Sequence, residues 1–262
     1  MKTYLEMLQH VFDNGIERED RTKTGTIGVF GYQNRYDLQE GFPIVTTKKV
    51  FWRGIVEEFL WMVVRGSIDV SELEDRGVNF WSPWKGDDGT IGPGYGKQFR
   101  NCDSVDQVQS IIDGVQDNPE SRRHVISLWN VSEIPEMELP PCHGVTIQFY
   151  VRDGEFLDCQ MYQRSADIFI GVPFNISFYS LFTHVVAQLC DLKPGHFVHT
   201  MGDAHIYQNH VDQVKEQLSR EPYDLPTLKL NPDIVDIDDF TWDDIELEGY
   251  EYHPYISAPV AV

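Results

Sequence analysis

Between residues 124 and 189 the chain lays down three strand patterns and then one long apolar helix, and this order limits the possible folds more than any other feature. Strand-like alternation falls near 124–129, 144–151 and 156–163, with a turn at Asp153-Gly154 joining the last two. Ile176, Tyr179, Phe182, Val186 and Leu189 then share one face of a helix that starts near Pro173. Clustered strands flanked by helices predict an α+β fold, a sheet with helices on one side. Tyr4, Leu5, Leu8, Val11 and Phe12 have helical spacing, and Asn14-Gly15 stops that helix. Residues 26–37 read as extended. Ile55, Phe59, Leu60, Met62 and Val63 mark a helix buried on much of its circumference, and Val105, Val108, Ile111, Ile112 and Val115 mark another, ended by Asn118-Pro119. A strand near 196–201, a helix over 207–219 and short strands complete the pattern. With no repeat, low-complexity tract or linker, residues 1–262 read as one domain.

Charge narrows the function classes. Twenty-one basic residues face 42 acidic ones, a net of −21. A nucleic-acid coat or an anionic membrane surface needs the opposite balance. No stretch approaches the ~20 apolar residues of a membrane span, and the polar N-terminus, MKTYLEMLQHVFDNG, is unlike a secretion signal. Cys102, Cys142, Cys159 and Cys190 form no C-x-x-C pair, so neither a metal site nor a thioredoxin motif is expected. A reduced, cytoplasmic setting follows as the expectation. Residues 233–248 hold eight acidic residues with Phe240 and Trp242 among them, and read as ordered surface.

Four segments carry candidate chemistry. In Leu139-Pro140-Pro141-Cys142-His143 the prolines hold the backbone extended ahead of Cys142, which suits a presented nucleophile; a small core residue is the plainer alternative. Gln163-Arg164-Ser165-Ala166-Asp167 supplies a guanidinium and a hydroxyl suited to phosphate. Asp167 and Asn175 offer donor and acceptor groups to a planar heterocycle, unless Asn175 merely caps a helix. Ser121-Arg122-Arg123 is either a surface ion-pair site or an anion site. On a strand His205 and Tyr207 share a face, so both could reach one hydroxyl or simply satisfy each other in the core.

Together these segments resemble the folate-dependent thymidylate synthase family. The resemblance runs from Tyr4 to Val262 through Asp20-Arg21-Thr22 with Gly25-Thr26, Gly41-Phe42-Pro43 with Thr46-Thr47-Lys48, Glu58-Phe59-Leu60-Trp61 and Tyr95-Gly96-Lys97-Gln98. It continues through the Arg pair, Pro-Pro-Cys-His, Gln-Arg-Ser-x-Asp with Pro-Phe-Asn, and Ala258-Pro259-Val260-Ala261-Val262. It implies a large mixed sheet whose free face forms a homodimer interface. The implied reaction is methylation of dUMP to dTMP, with 5,10-methylenetetrahydrofolate supplying carbon and hydride, and no metal.

The resemblance also assigns roles. Cys142 attacks uracil C6, and Arg164 stabilises its thiolate. Asn175 binds the N3–H and O4 edge. Arg21, Arg164 and Ser165 bind the phosphate, joined by Arg122 and Arg123 from the partner subunit. His205 and Tyr207 hold the ribose hydroxyl, and Gln163 and Asp167 border the nucleotide. Glu58 organises proton transfer and Tyr95 assists loss of the C5 proton. Asp167 hydrogen-bonds the pterin, while Trp81, Trp84, Leu139, Ile170, Gly171 and Phe174 line the folate cavity and Val262 closes over it. The chain departs from the common pattern at Phe51, Phe80 and Met201, by one extra residue between Cys142 and Gln148, and by one in the Arg152–Cys159 hairpin. A dUMP hydroxymethylase on the same scaffold is the close alternative. A cysteine hydrolase using Cys142 with His143 or His205, or a nucleotide-binding regulator, would be a different class.

Overall fold

The computed structural model describes residues 1–20 and 23–260; Arg21 and Val262, both assigned roles above, lie outside the described residues. The chain opens with helix α1 (Lys2–Asn14), whose buried Tyr4, Met7, Leu8 and Val11 repeat at helical spacing. Strands β1 (Ile16–Arg18) and β2 (Thr26–Asp37) follow. Helix α2 (Trp52–Phe59) runs directly into a π-helical turn over Leu60–Val64, every residue of which is buried. Short helices α3 (Ser71–Glu74) and α4 (Tyr95–Arg100) precede α5 (Gln107–Asp117). Val105, assigned above to the α5 pattern, lies before that helix and is half exposed, because Asp106 caps it by accepting the Gln109 N–H.

The three mid-chain strands are β3 (Val125–Ser127), β4 (Thr146–Arg152) and β5 (Phe156–Asp167). Helix α6 (Gly171–Leu189) crosses from β5 to β6 (Lys193–Tyr207), which is far longer than the 196–201 segment expected. A 3-10 turn and α7 (Val211–Leu218) replace the continuous 207–219 helix. A hairpin of β7 (Thr227–Leu230) and β8 (Ile245–Glu248) follows. The acidic tract is ordered: two 3-10 turns, a Thr241–Asp244 capping box and buried Ile237 and Phe240 hold it.

The main sheet has six strands in the order β1-β2-β6-β5-β4-β3, antiparallel throughout except for the β5–β6 pair. A parallel pair needs a crossover, and α6 supplies it. Helices α1 and α6 cover one face, and α6 packs in turn against α2. With both sides of α6 enclosed, 15 of its residues are buried, which explains its near-continuous apolar sequence. On the other face Gln33 and Gln160 both donate to the Thr200 hydroxyl, at 2.8 and 3.3 Å, beside an exposed Tyr150.

Both spacing departures have a local form. After Cys142 the chain bends before β4 starts, and Gly144 takes a left-handed φ of +66°. In the Arg152–Cys159 hairpin the register runs unbroken from the Arg152–Phe156 pair, so the added length falls in the turn of residues 153–155, where Asp153 and Gly154 take positive φ. The separate bulge opposite Asp158 lies on β6, where Leu157 faces Pro194 and Cys159 faces Phe197.

Candidate active site

The Cys142 segment is clamped by two side chains from distant elements. The Tyr95 hydroxyl accepts the Cys142 N–H at 2.9 Å. Arg164, on β5, donates through Nε to the Pro141 carbonyl and through Nη2 to the Pro140 carbonyl, both at 3.0 Å. The same Nη2 lies 3.7 Å from Cys142 Sγ, and the guanidinium rests over the Trp129 ring at 5.4 Å. A cation held this way favours the thiolate. Burial, aided by the charges of Asp158 and Asp113, drives the thiols of Cys159 and Cys190 up to about 12, which marks them as inert groups.

His143 does not serve Cys142. Its Nδ1 meets the Tyr179 hydroxyl at 2.8 Å, and burial pulls its imidazole down to about 3. A neutral ring committed to a tyrosine makes no hydrolase dyad with its neighbour.

Glu58 stands near the C-terminal end of α2, where the π turn begins. Such turns recur at functional sites. Its Oε1 accepts the Trp81 indole N–H at 2.6 Å. Burial pushes the carboxyl up to about 7, and the Trp81 hydrogen bond only partly offsets it. Trp81 packs edge-on against Tyr95 at 5.3 Å and Trp84 at 5.7 Å. Carboxyl, indole, phenol and cysteine backbone thus form one contiguous series. Desolvation drives the Tyr95 phenol well above its ordinary value, so it stays protonated.

Leu139, Ile170 and Phe174 are partly buried and pack on the core. Phe80 meets Phe174 edge-on at 5.6 Å. A side chain at Gly54 would come within 2.6 Å of Phe51 and 2.9 Å of Phe80, so the missing Cβ makes room for this aromatic wall.

A second group of candidate residues comes from β5, β6 and α6. Asn175 is not a cap: it sits inside α6, nearly fully buried, with Oδ1 accepting from Gln163 Nε2 at 3.0 Å. No side chain caps α6; Asp167 instead holds the turn ahead of it, its Oδ1 accepting the N–H groups of Phe169 at 3.0 Å and Ile170 at 3.1 Å. In the parallel ladder Ser165 lies opposite Asp203 and Asp167 opposite His205. His205 and Tyr207 do share a face, their rings 5.2 Å apart. Burial pulls the His205 imidazole down, but its 3.0 Å contact with Asp203 and the charges of Asp167 and Asp203 outweigh that and leave it raised.

Arg122 and Arg123 are placed apart from this cluster. They lie exposed on the turn before β3, and their guanidinium groups pair with no carboxylate among the described residues. The ion-pair alternative finds no partner for them among the described residues.

The structure adds groups that no motif role covered. Lys48 is buried with Nζ donating to the Phe169 carbonyl at 2.5 Å, and burial draws its amine down to about 7. Asp203 could have been found from strand alternation, two residues before His205. His199, which contacts Gln163, left no local signal. Among the described residues no group of three His, Cys, Asp or Glu side chains could hold a metal ion, and no helix is long and apolar enough to cross a membrane.

The family model described as thymidylate synthase matches residues 2–262, almost the whole length, with the thiol, guanidinium, buried carboxyl and amide all inside the matched span. On that match, and on a six-stranded mixed sheet that carries these groups, the chain belongs to the thymidylate synthase family.

Proposed function

We propose that residues 1–262 form one catalytic unit that converts dUMP to dTMP, taking a one-carbon unit and a hydride from 5,10-methylenetetrahydrofolate and releasing dihydrofolate. The family supports methyl transfer to dUMP with this cosubstrate. The observation that carries the finer reading is Arg164 Nη2 set 3.7 Å from Cys142 Sγ while two proline carbonyls accept from its Nε and Nη2. It prepares a sulfur nucleophile beside a dianion-binding guanidinium.

In this reading Cys142 adds to uracil C6, and C5 becomes a nucleophile that takes the methylene carbon. Asn175 holds the N3–H and O4 edge, with Gln163 and Asp167 bordering the base. Arg164 and Ser165 hold the phosphate, with Arg21. His205 and Tyr207 hold the ribose hydroxyl. Glu58, held near neutral pH, relays protons, and the Tyr95 hydroxyl assists removal of the C5 proton. Trp81, Trp84, Leu139, Ile170, Gly171 and Phe174 form the folate wall, with Asp167 on the pterin and Val262 closing over it. The exposed Arg122 and Arg123 suit a homodimer in which each subunit lends them to its partner's phosphate site.

The test is product mass after incubation with dUMP and methylenetetrahydrofolate. dTMP and dihydrofolate in equal amounts support the proposal. A 5-hydroxymethyl-dUMP product, heavier than dTMP by one oxygen and accompanied by tetrahydrofolate, would make the chain a hydroxymethylase. A product that forms without folate would point to a hydrolase.

A further inference from the structure

Behind Asn175 a buried histidine joins the hydrogen bonds that orient two amides. His199 lies on β6 with none of its surface exposed. Its Nε2 is 2.8 Å from Gln163 Oε1. Gln163 Nε2 donates to the Ser165 carbonyl and to Asn175 Oδ1, each at 3.0 Å. The Ser165 carbonyl can only accept, so it fixes the NH2 end of Gln163. Gln163 Oε1 then faces His199, and His199 must donate from Nε2. Burial draws this imidazole down to about 3, so it is neutral. Its Nδ1 is enclosed without a hydrogen-bond partner among the described residues, so a second ring proton would have no acceptor.

We propose that His199 is a positioning residue for base selection: by donating to Gln163 Oε1 it locks the Asn175 amide in the orientation that reads uracil. The proposal rests on the role given to Asn175 above. With one lone pair of Oδ1 taken by Gln163, Asn175 offers its remaining lone pair and its N–H to a ligand. Uracil presents the matching pair, an N3–H donor beside an O4 acceptor. Cytosine presents the reverse and needs a flipped amide. Flipping Asn175 would set its NH2 against the Gln163 NH2. Flipping Gln163 as well would set its oxygen against the Ser165 carbonyl and its NH2 against the His199 N–H. Such mismatches are costly in a buried site.

The experiment measures dissociation constants of dUMP and dCMP by calorimetry for wild type, His199→Phe and His199→Gln. Glutamine can place an amide donor where Nε2 sits. Wild type should prefer dUMP. His199→Phe should lose at least about tenfold of that preference, because a pocket that reads by hydrogen bonds discriminates through their polarity, and His199→Gln should recover most of it. An unchanged ratio in His199→Phe overturns the proposal. Should that variant not fold, the 15N ring signals of wild type decide: neutral Nε2–H supports the proposal, and Nδ1–H or an imidazolium overturns it. A wild type that binds neither nucleotide instead overturns the role of Asn175 itself.

Discussion

The indole N–H of Trp81 donates to the Glu58 carboxyl across 2.6 Å, with both residues almost wholly shielded from water. Burial raises the carboxyl from 4.5 to about 7 while the indole hydrogen bond opposes the rise. Removing the donor must therefore raise it further. The pH profile of kcat should inflect near 7 in wild type, move to higher pH in Trp81→Phe and lose that limb in Glu58→Gln. An unmoved inflection in Trp81→Phe would separate the indole from proton transfer.

The same carboxyl ties stability to pH. Below 4.5 it is protonated whether folded or unfolded. Between 4.5 and about 7 only the unfolded chain ionises, so its contribution to stability falls as pH rises through that window and is constant above it. Glu58→Gln should abolish this component, on the order of 3 kcal/mol. Denaturant titrations at pH 4.5 and 8 measure it, and equal pH slopes for the two proteins would contradict the buried, raised carboxyl.

Cys142 should form a covalent ternary adduct with 5-fluoro-dUMP and methylenetetrahydrofolate, because fluorine at C5 cannot leave as a cation. Intact-protein mass should show the adduct in wild type and not in Cys142→Ser. Arg164→Met should slow its formation at neutral pH by at least about tenfold through loss of thiolate character. An adduct on Cys142→Ser protein would remove the nucleophile assignment.

Gly144 is required where the chain leaves the site. Its φ is +66°, and an added Cβ would overlap the Tyr179 hydroxyl that bonds His143. Gly144→Ala should cost at least about 2 kcal/mol from backbone strain and overlap. Tyr179→Phe alone should cost about 1 kcal/mol for the lost hydrogen bond. The double variant should be more stable than the sum of the two losses, since the phenyl ring relieves part of the overlap. Strict additivity in urea unfolding would refute the contact.

Arg122 and Arg123 provide the test of subunit sharing. Homodimers of Cys142→Ala and of Arg122→Ala should both be weak. After complete subunit exchange half the dimers should be mixed, each with one intact site, restoring about a quarter of wild-type activity. No recovery, with exchange confirmed by mass, would place the phosphate guanidinium groups in the same chain as Cys142.

Period-two and period-3.6 patterns depend only on neighbours a few residues apart, which is why α1, β2, β4, β5 and α6 could be placed from sequence. The Pro-Pro-Cys-His and Gln-Arg-Ser-x-Asp segments stood out for the same reason, as did the shared face of His205 and Tyr207. What sequence left open was set by long-range packing. Asn175 reads equally well as a helix cap or as a ligand-facing amide until β5 brings Gln163 against it. Glu58 is an ordinary carboxylate until Trp81, 23 residues away, closes over it. β6 runs to Tyr207 because pairing with β2 and β5 extends it past its own apolar stretch. His199 carries no local mark, because an imidazole in a strand gains meaning only from the groups its ring nitrogens meet. Local sequence thus determined the elements and the reactive residue types. Tertiary structure alone decided protonation, amide orientation and which side chains meet, since these depend on burial and on contacts between residues far apart in the chain.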